Sequence, residues 1–423
     1  MGAKLSPTRL LLILTGINLF NYMDRFVISA VRTPLATDLG ISYGDSGRAF
    51  TAFMIGYFIT SPLFGYLGDR ASRKVLIALG IFVWSLGTVL TGFATGLGAL
   101  LCYRAMVGVG EASYATISPS LIADTWGPIK RNNALTIFYV AIPVGSALGY
   151  ILGGVVAAHW DWRHAFFLAG APGLLLAFVL LPFREPQRGE SDAVAGASLC
   201  KPNLRDILGL FRNGKYLLVV WGYVAYTFAL GAFAFWGPTF FETVHRLSNA
   251  AANSFFGAVI VVAGLVGTLL GGFAATAWQK RNPAGYAWML TGSVFLAVPF
   301  SFFALLSAHV VAAMSLFALS IFLLFLCTGP VNTLILEAVP VNLRSSAVAI
   351  SIFLIHLFGD MWSPEIVGRL ADHLRGDLQR AILILPGALL IAASVWLVLA
   401  LRTAKANRHS AGASVTSSIR SSP

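Results

Sequence analysis

Three pairs of ionisable side chains stand inside stretches that are otherwise apolar. Asp24 and Arg25 are adjacent in NYMDRF, Arg104 and Glu111 are seven residues apart in RAMVGVGEASY, and His356 and Asp360 are four apart in HLFGDMWSP. At 3.6 residues per helical turn, the second and third spacings put both members on one face. Asn21, Asp24, Arg25 and Ile28 follow the i, i+3, i+4, i+7 pattern of a single helix face. A carboxyl beside a guanidinium can hold or release a proton, and a guanidinium can hold an anion. Arg104 and Glu111 therefore read as an anion site and a proton site, and His356 with Asp360 as a second ionisable pair.

The elements that must position these groups follow from composition. The chain has 423 residues, 57% of them hydrophobic and 11% charged, with a mean hydropathy of +0.79. Soluble domains carry roughly 25% charged residues. A chain this apolar needs a bilayer as solvent, and a spanning helix needs roughly 20 apolar residues. By that template about twelve spans are predicted, at 9–35, 45–67, 75–95, 97–126, 132–158, 163–183, 214–243, 250–278, 285–307, 310–338, 344–370 and 378–401. The first is read as a retained helix and not a cleaved signal. A charge at membrane depth costs at least about 2.5–3.5 kcal/mol, so each must face a partner or a cavity. Asp24 and Glu111 each lie about 15 residues from the same membrane face, roughly 22 Å deep at 1.5 Å per residue. Arg104 lies nearer the opposite face, and Asp360 at comparable depth to Asp24. This spacing predicts that Asp24 looks toward Glu111 and Arg25 toward the cavity.

The net charge of +12 is explained by loops and not by nucleic acid, because no basic stripe with interleaved aromatics occurs. With the N terminus inside, inner segments carry about 20 Lys and Arg and outer ones about 7, which predicts both termini cytoplasmic. Cys102, Cys200 and Cys327 are scattered, so neither a disulfide framework nor a metal site is expected. No cofactor is expected either. GVGEAS lies in an apolar span with no preceding strand, so a nucleotide fingerprint has no support, and no nucleophile–base arrangement suggests an enzyme.

The two halves resemble each other. SLIADTWGPIKRNNALTI and TLILEAVPVNLRSSAVAI align at an offset of about 213, which sets Asp124 on Glu337. The predicted organisation is a six-helix half at 1–185, a linker at 186–213 with an amphipathic piece near Leu204–Phe211, a second six-helix half at 214–403, and a disordered tail at 404–423. The fold class is thus an all-α integral membrane protein with twelve transmembrane helices in two pseudo-repeat halves. Such repeats place a substrate site between the halves near the midplane. Aromatic residues of the seventh span, Tyr226 and Phe235 among them, are candidates to line it.

Between the second and third spans stands GYLGDRASRK. It resembles the loop motif G-x-x-x-D-R-x-x-R-[RK] of the major facilitator superfamily, with Gly65, Asp69, Arg70, Arg73 and Lys74 matching. Gly65 permits close helix approach, Asp69 can face a helix N-terminus, and Arg70 or Arg73 can reach Asp124. With Glu337 in the second half, these residues form a predicted intracellular gate. Gly145, Gly149 and Gly153 in the fifth span are expected to pack tightly.

NYMDRF, GYLGDRASRK, RAMVGVGEASY and HLFGDMWSP together resemble the Spinster branch of that superfamily. The resemblance implies a bacterial-type secondary transporter of the inner membrane, monomeric, working by alternating access. Its implied cargo is an amphipathic anionic lipid, a lysophospholipid or a sphingosine-1-phosphate-like molecule, with proton coupling. It further implies that Asp24 and Glu111 couple protons and that Arg25 and Arg104 bind the anionic head; the shared face and depth of His356 and Asp360 add that pair as candidate substrate-binding residues. A drug–proton antiporter or organic-anion carrier of the same fold is the alternative, and a transport-dead ligand sensor is another.

Overall fold

The computed structural model describes residues 5–126, 128–187, 204–340 and 343–420. Most of the predicted linker, 188–203, and residues 421–423 lie outside them. Twelve long helical segments are present among the described residues. They are α1 Pro7–Ala30, α2 Tyr43–Arg70, α3 Arg73–Thr91, α4 Leu97–Thr125, α5 Pro128–His159, α6 Trp162–Leu176 and α7 Gly214–Thr243. They continue with α8 Asn249–Arg281, α9 Gly285–Leu306, α10 Val310–Glu337, α11 Ser346–His373 and α12 Leu378–Ala406. Ten are long and apolar enough to cross a membrane. The other two are α4, which carries Arg104 and Glu111, and α6, whose 15 helical residues continue as turns.

The apolar surface of these helices points outward as well as inward. Leu175, Phe273 and Ile59 are exposed by 77%, 73% and 72%. Water-soluble monomers rarely expose apolar surface on this scale, and lipid is the solvent that satisfies it. The chain is an integral multi-pass membrane protein.

Packing divides the chain into two bodies. The first holds Met1–Ser198 with Ala234–Val261 and Pro364–Ala381; the second holds Leu199–Phe233, Val262–Ser363 and Ile382–Pro423. In the first, α2 lies along α4, α1 along α5, and α3 along α4 and α6; in the second, α9 lies along α10 and α12. The pseudo-repeat boundary and the packing boundary therefore differ: the far ends of α7, α8 and α11 pack with the first six helices. The cause is a set of direct bonds. Asn249 and Asn253 donate to the Ala30 carbonyl at 2.8 and 3.0 Å, and the Tyr150 hydroxyl donates to the Ala234 carbonyl at 2.5 Å.

Two helices of the second half carry wide π-turns, Ala263–Gly267 in α8 and His356–Asp360 in α11. The amphipathic linker piece begins as a short helix, Leu204–Gly209. The last helix continues to Arg420, through the segment whose composition predicts disorder. Adding a residue to an existing helix costs far less than nucleating one, and Ala, Lys and Arg there are good helix formers.

Candidate functional site

The first charged segment is set by how α1 is held. Ser6 caps α1 and Pro7 opens it. Gly145, Gly149 and Gly153 of α5 lie against Leu19, Met23 and Ala30 of α1, where any added side chain would meet backbone or Cβ atoms. Asn18 donates to the Phe138 carbonyl at 3.0 Å, and the Tyr114 hydroxyl to the Leu14 carbonyl. The glycine spacing seen in the sequence thus fixes the height and rotation of the turn carrying Asp24 and Arg25.

The second charged segment is seated in the same way. Gly108 of α4 presses on the Phe53 carbonyl of α2, and Gly110 presses on Gly80 and Trp84 of α3. The GVGE run is therefore a packing device that brings α4 close enough on two sides to bury Glu111. Both Glu111 and Arg104 have no exposed surface.

Arg25 Nη2 meets Glu111 Oε2 at 2.5 Å and Arg25 Nε meets the same oxygen at 3.1 Å. The Arg25 guanidinium lies over three rings, Tyr22 at 4.8 Å, Phe53 at 5.1 Å and Tyr57 at 5.7 Å. Its side chain keeps 16% exposure, while Glu111, Asp24 and Arg104 keep 1% or less. Asp24 accepts from the Thr88 hydroxyl and lies 3.9 Å from Arg104 Nη1. Arg104 also lies over the Phe53 ring at 5.2 Å, and its three nitrogens donate no hydrogen bond among the described residues.

All four predicted charges therefore meet, but with partners exchanged. Asp24 was expected toward Glu111; the structure gives Glu111 to Arg25, and Asp24 to Thr88 and Arg104. The reason is the roughly 100° between adjacent helix positions. It turns Asp24 toward α3 and Arg25 toward α2 and α4. Two acids and two guanidiniums in one buried set cancel while both acids are ionised, and a proton taken up by one acid leaves the set at +1, able to balance an incoming anion. A buried ion pair holds only while both members are matched. Thr88, Phe53 and Tyr57 escape sequence reasoning, because neutral residues in apolar spans carry no mark of what they face.

In the second body, His356 Nδ1 lies 2.9 and 3.0 Å from the Asp360 carboxylate oxygens, and both residues sit in the α11 π-turn. Gly359 and Gly231 allow α7 to approach this turn, meeting Thr227 and Asp360 respectively. Tyr226 is buried, with its hydroxyl donating to the Leu324 carbonyl at 2.9 Å and its ring beside Trp396. Phe235, in the first body, is buried against Phe50 and Trp236. Both rings are spent on packing, the commoner fate of aromatics at helical spacing.

At the end of the first body that carries the N terminus, Arg73 pairs with Asp124, as one of the two expected arginines, and with Glu185 at 3.0 Å. Ser72 donates to Glu185 at 2.8 Å, and Lys74 donates to the Leu181 and Phe183 carbonyls at 2.9 and 2.8 Å. Arg70 instead lies over the Tyr66 ring at 3.7 Å. Gly65 faces Thr116 of α4, and Glu337 is exposed at the end of α10. The Asp69 side chain lies outside the described residues. Glu185, the last residue of the predicted first half, completes this cluster.

Burial opposes ionisation of Glu185, but the bonds from Arg73 and Ser72 outweigh it and hold the carboxyl below its ordinary value. A lowered carboxylate contributes stability above its unfolded pKa and loses it as pH falls through the folded one. The stability difference between the wild type and Glu185→Gln is therefore expected to be flat from pH 8 to about pH 5 and to shrink below about pH 4. Thermal unfolding across that range checks it; a difference already shrinking between pH 8 and pH 6 would refute it.

The profile of the Major Facilitator Superfamily matches residues 14–364. Protein spinster of Drosophila melanogaster is 34% identical over 379 residues, 87% of this chain and 62% of the fly protein. The chain thus spans under two thirds of that relative's length. The Arabidopsis thaliana protein named probable sphingolipid transporter spinster homolog 1 is 30% identical over 437 residues, 93% of this chain and 88% of that one. A crystal structure of a bacterial homolog to the human lysosomal transporter Spinster, inward-facing and unoccupied, superposes with a TM-score of 0.85. It has 23% identity and the match covers 95% of this chain and 98% of that one.

Proposed function

Because this chain belongs to the Major Facilitator Superfamily, in its Spinster branch, and is a transporter and not an enzyme, we propose that it moves an amphipathic anionic lipid by proton-coupled alternating access. The observation that carries this reading is the Arg25 guanidinium. It is the one member of a buried, charge-balanced quartet that keeps exposed surface, and it sits among three aromatic rings. A guanidinium binds phosphate in two-pronged fashion, and the rings suit the apolar body of a lysophospholipid. The Arabidopsis thaliana relative, named probable sphingolipid transporter spinster homolog 1, agrees with this class.

The chemistry follows from the geometry. An anionic head arriving at Arg25 competes with Glu111 for the same nitrogens. Glu111 has no exposed surface, and an unpaired carboxylate there is costly. It therefore takes a proton as Arg25 turns to the head group. Asp24, held by Thr88, stays beside Arg104 as the second proton-carrying acid. Return of the proton from Glu111 restores the ion pair and expels the cargo. The protein acts as a monomer in the bacterial cytoplasmic membrane with both termini inside. His356 and Asp360 contribute a second polar pair from α11, and the Arg73 cluster belongs to the intracellular gate.

Proteoliposomes test this directly. Uptake of a labelled lysophospholipid is expected to rise at least about fivefold under an imposed proton gradient and to fall to background in Arg25→Ala, a loss set by the charge-assisted bond removed. Transport of a cationic dye with no lysophospholipid uptake would replace this reading with the drug–proton antiporter.

A further inference from the structure

At the end of the first body opposite the N terminus, α2 and α11 are joined by the Arg48–Glu365 ion pair and by a bond of another type. Helix α2 begins at Tyr43 with its own capping box: Ser42 Oγ accepts from the Asp45 N–H and Asp45 accepts from the Ser42 N–H. That leaves the first two N–H groups of the helix. Tyr43 N–H donates to Asp372 Oδ1 at 3.0 Å and Gly44 N–H donates to Asp372 Oδ2 at 2.7 Å. One carboxylate on α11, more than three hundred residues away in sequence, thus completes the N-terminus of α2. A carboxylate at that position also meets the positive end of the helix dipole.

The backbones come together there because three glycines allow it. A side chain at Gly47 would run into Pro364 and Glu365, one at Gly44 into Asp372 and Arg369, and one at Gly368 into the Tyr43 carbonyl. Arg32 is buried over the Tyr43 ring at 4.0 Å and the Trp236 ring at 5.2 Å, and Trp236 Nε1 donates to the Pro364 carbonyl at 2.8 Å. Glu365 is shared between Arg48 at 3.5 Å and Arg369 at 2.5 Å. Just ahead of this segment, α11 carries its π-turn His356–Asp360 and then Pro364. Each interrupts the regular helical ladder, so the segment beyond can swing without tearing α-helical bonds.

We propose that Asp372 is the catch of the outer gate: its carboxylate caps α2 while the outer face is closed and leaves those two N–H groups to water when it opens. The proposal rests on the alternating-access reading, yet its test needs no substrate. In a background where Cys102, Cys200 and Cys327 are replaced by Ala, the buried Ser46 is replaced by Cys and labelled from outside with a membrane-impermeant maleimide. The parent is expected to label slowly. Asp372→Ala is expected to label about tenfold faster, the scale of a lost helix cap, and Asp372→Asn to lie between. Gly47→Leu, which acts through packing alone, is expected to label at least as fast as Asp372→Ala. A parental labelling rate in Asp372→Ala, with the protein still monodisperse on gel filtration, would overturn the catch whatever Gly47→Leu shows; a fast Gly47→Leu beside it would assign the closure to packing alone. Lysophospholipid uptake, measured separately, reports on the transporter reading alone.

Discussion

Replacing Glu111 by Gln is expected to abolish the response of transport to a proton gradient while leaving the protein folded. The amide keeps the shape of the carboxylate and one acceptor oxygen for Arg25. What it lacks is the ability to lose and regain a proton. Arg25 then holds no competing anion, so the head group binds in a step no longer tied to protonation. Uptake with and without the gradient should become equal, a ratio near 1. The cost in stability is about 1–2 kcal/mol, because Arg25 retains its rings and some exposure. That is small beside the roughly 3–5 kcal/mol of stranding a fully buried charge. Uptake by proteoliposomes at fixed protein amount, with and without the gradient, decides it. Wild-type pH dependence in Glu111→Gln would remove Glu111 from the coupling step.

The second large effect comes from an uncharged position. Gly108→Ala and Gly16→Ala make the same chemical change within two transmembrane helices, and each gains about 1 kcal/mol of helix propensity. At Gly16 nothing lies within 4 Å of the added carbon, so that variant is expected to keep or raise its melting temperature. At Gly108 the carbon meets the Phe53 carbonyl and the Tyr57 nitrogen. These are backbone atoms, and α2 and α4 must part to admit it. Overpacking of this kind costs about 1–3 kcal/mol. It also moves Phe53 and Tyr57 away from Arg25, so transport is expected to fall more steeply than stability. Melting curves and lysophospholipid uptake on both variants test the contrast. Equal behaviour of the two would show that the close approach of α2 and α4 is not needed.

The legible and illegible parts of this molecule divide along physical lines. The spans were readable because twenty apolar residues in a row have one stable environment, and the predicted limits of 214–243 for the seventh match Gly214–Thr243. The charges at Asp24, Arg25, Arg104 and Glu111 were readable because a buried charge must have a reason. Their pairing was not, since it depends on helix rotation, which the glycines of α5 and α4 set through contacts a sequence does not display. Thr88 and Phe53 are ordinary membrane-helix residues until their neighbours are known. Asp372 reads as a loop charge at a helix end, and only the arrival of α2 from hundreds of residues away gives it a role. Tyr226 and Phe235 have the residue type of a site lining, and type alone does not tell a lining ring from a packed one.

The buried quartet has a consequence for how the chain is made. Its members come from α1 and α4, and with Thr88 on α3 all are synthesised by residue 111. Two acids and two guanidiniums sum to zero. The insertion machinery therefore receives, early in translation, a set of helices whose intramembrane charges already cancel. Domains form in the order of synthesis, so the most expensive residues in the protein find their partners before its second half leaves the ribosome.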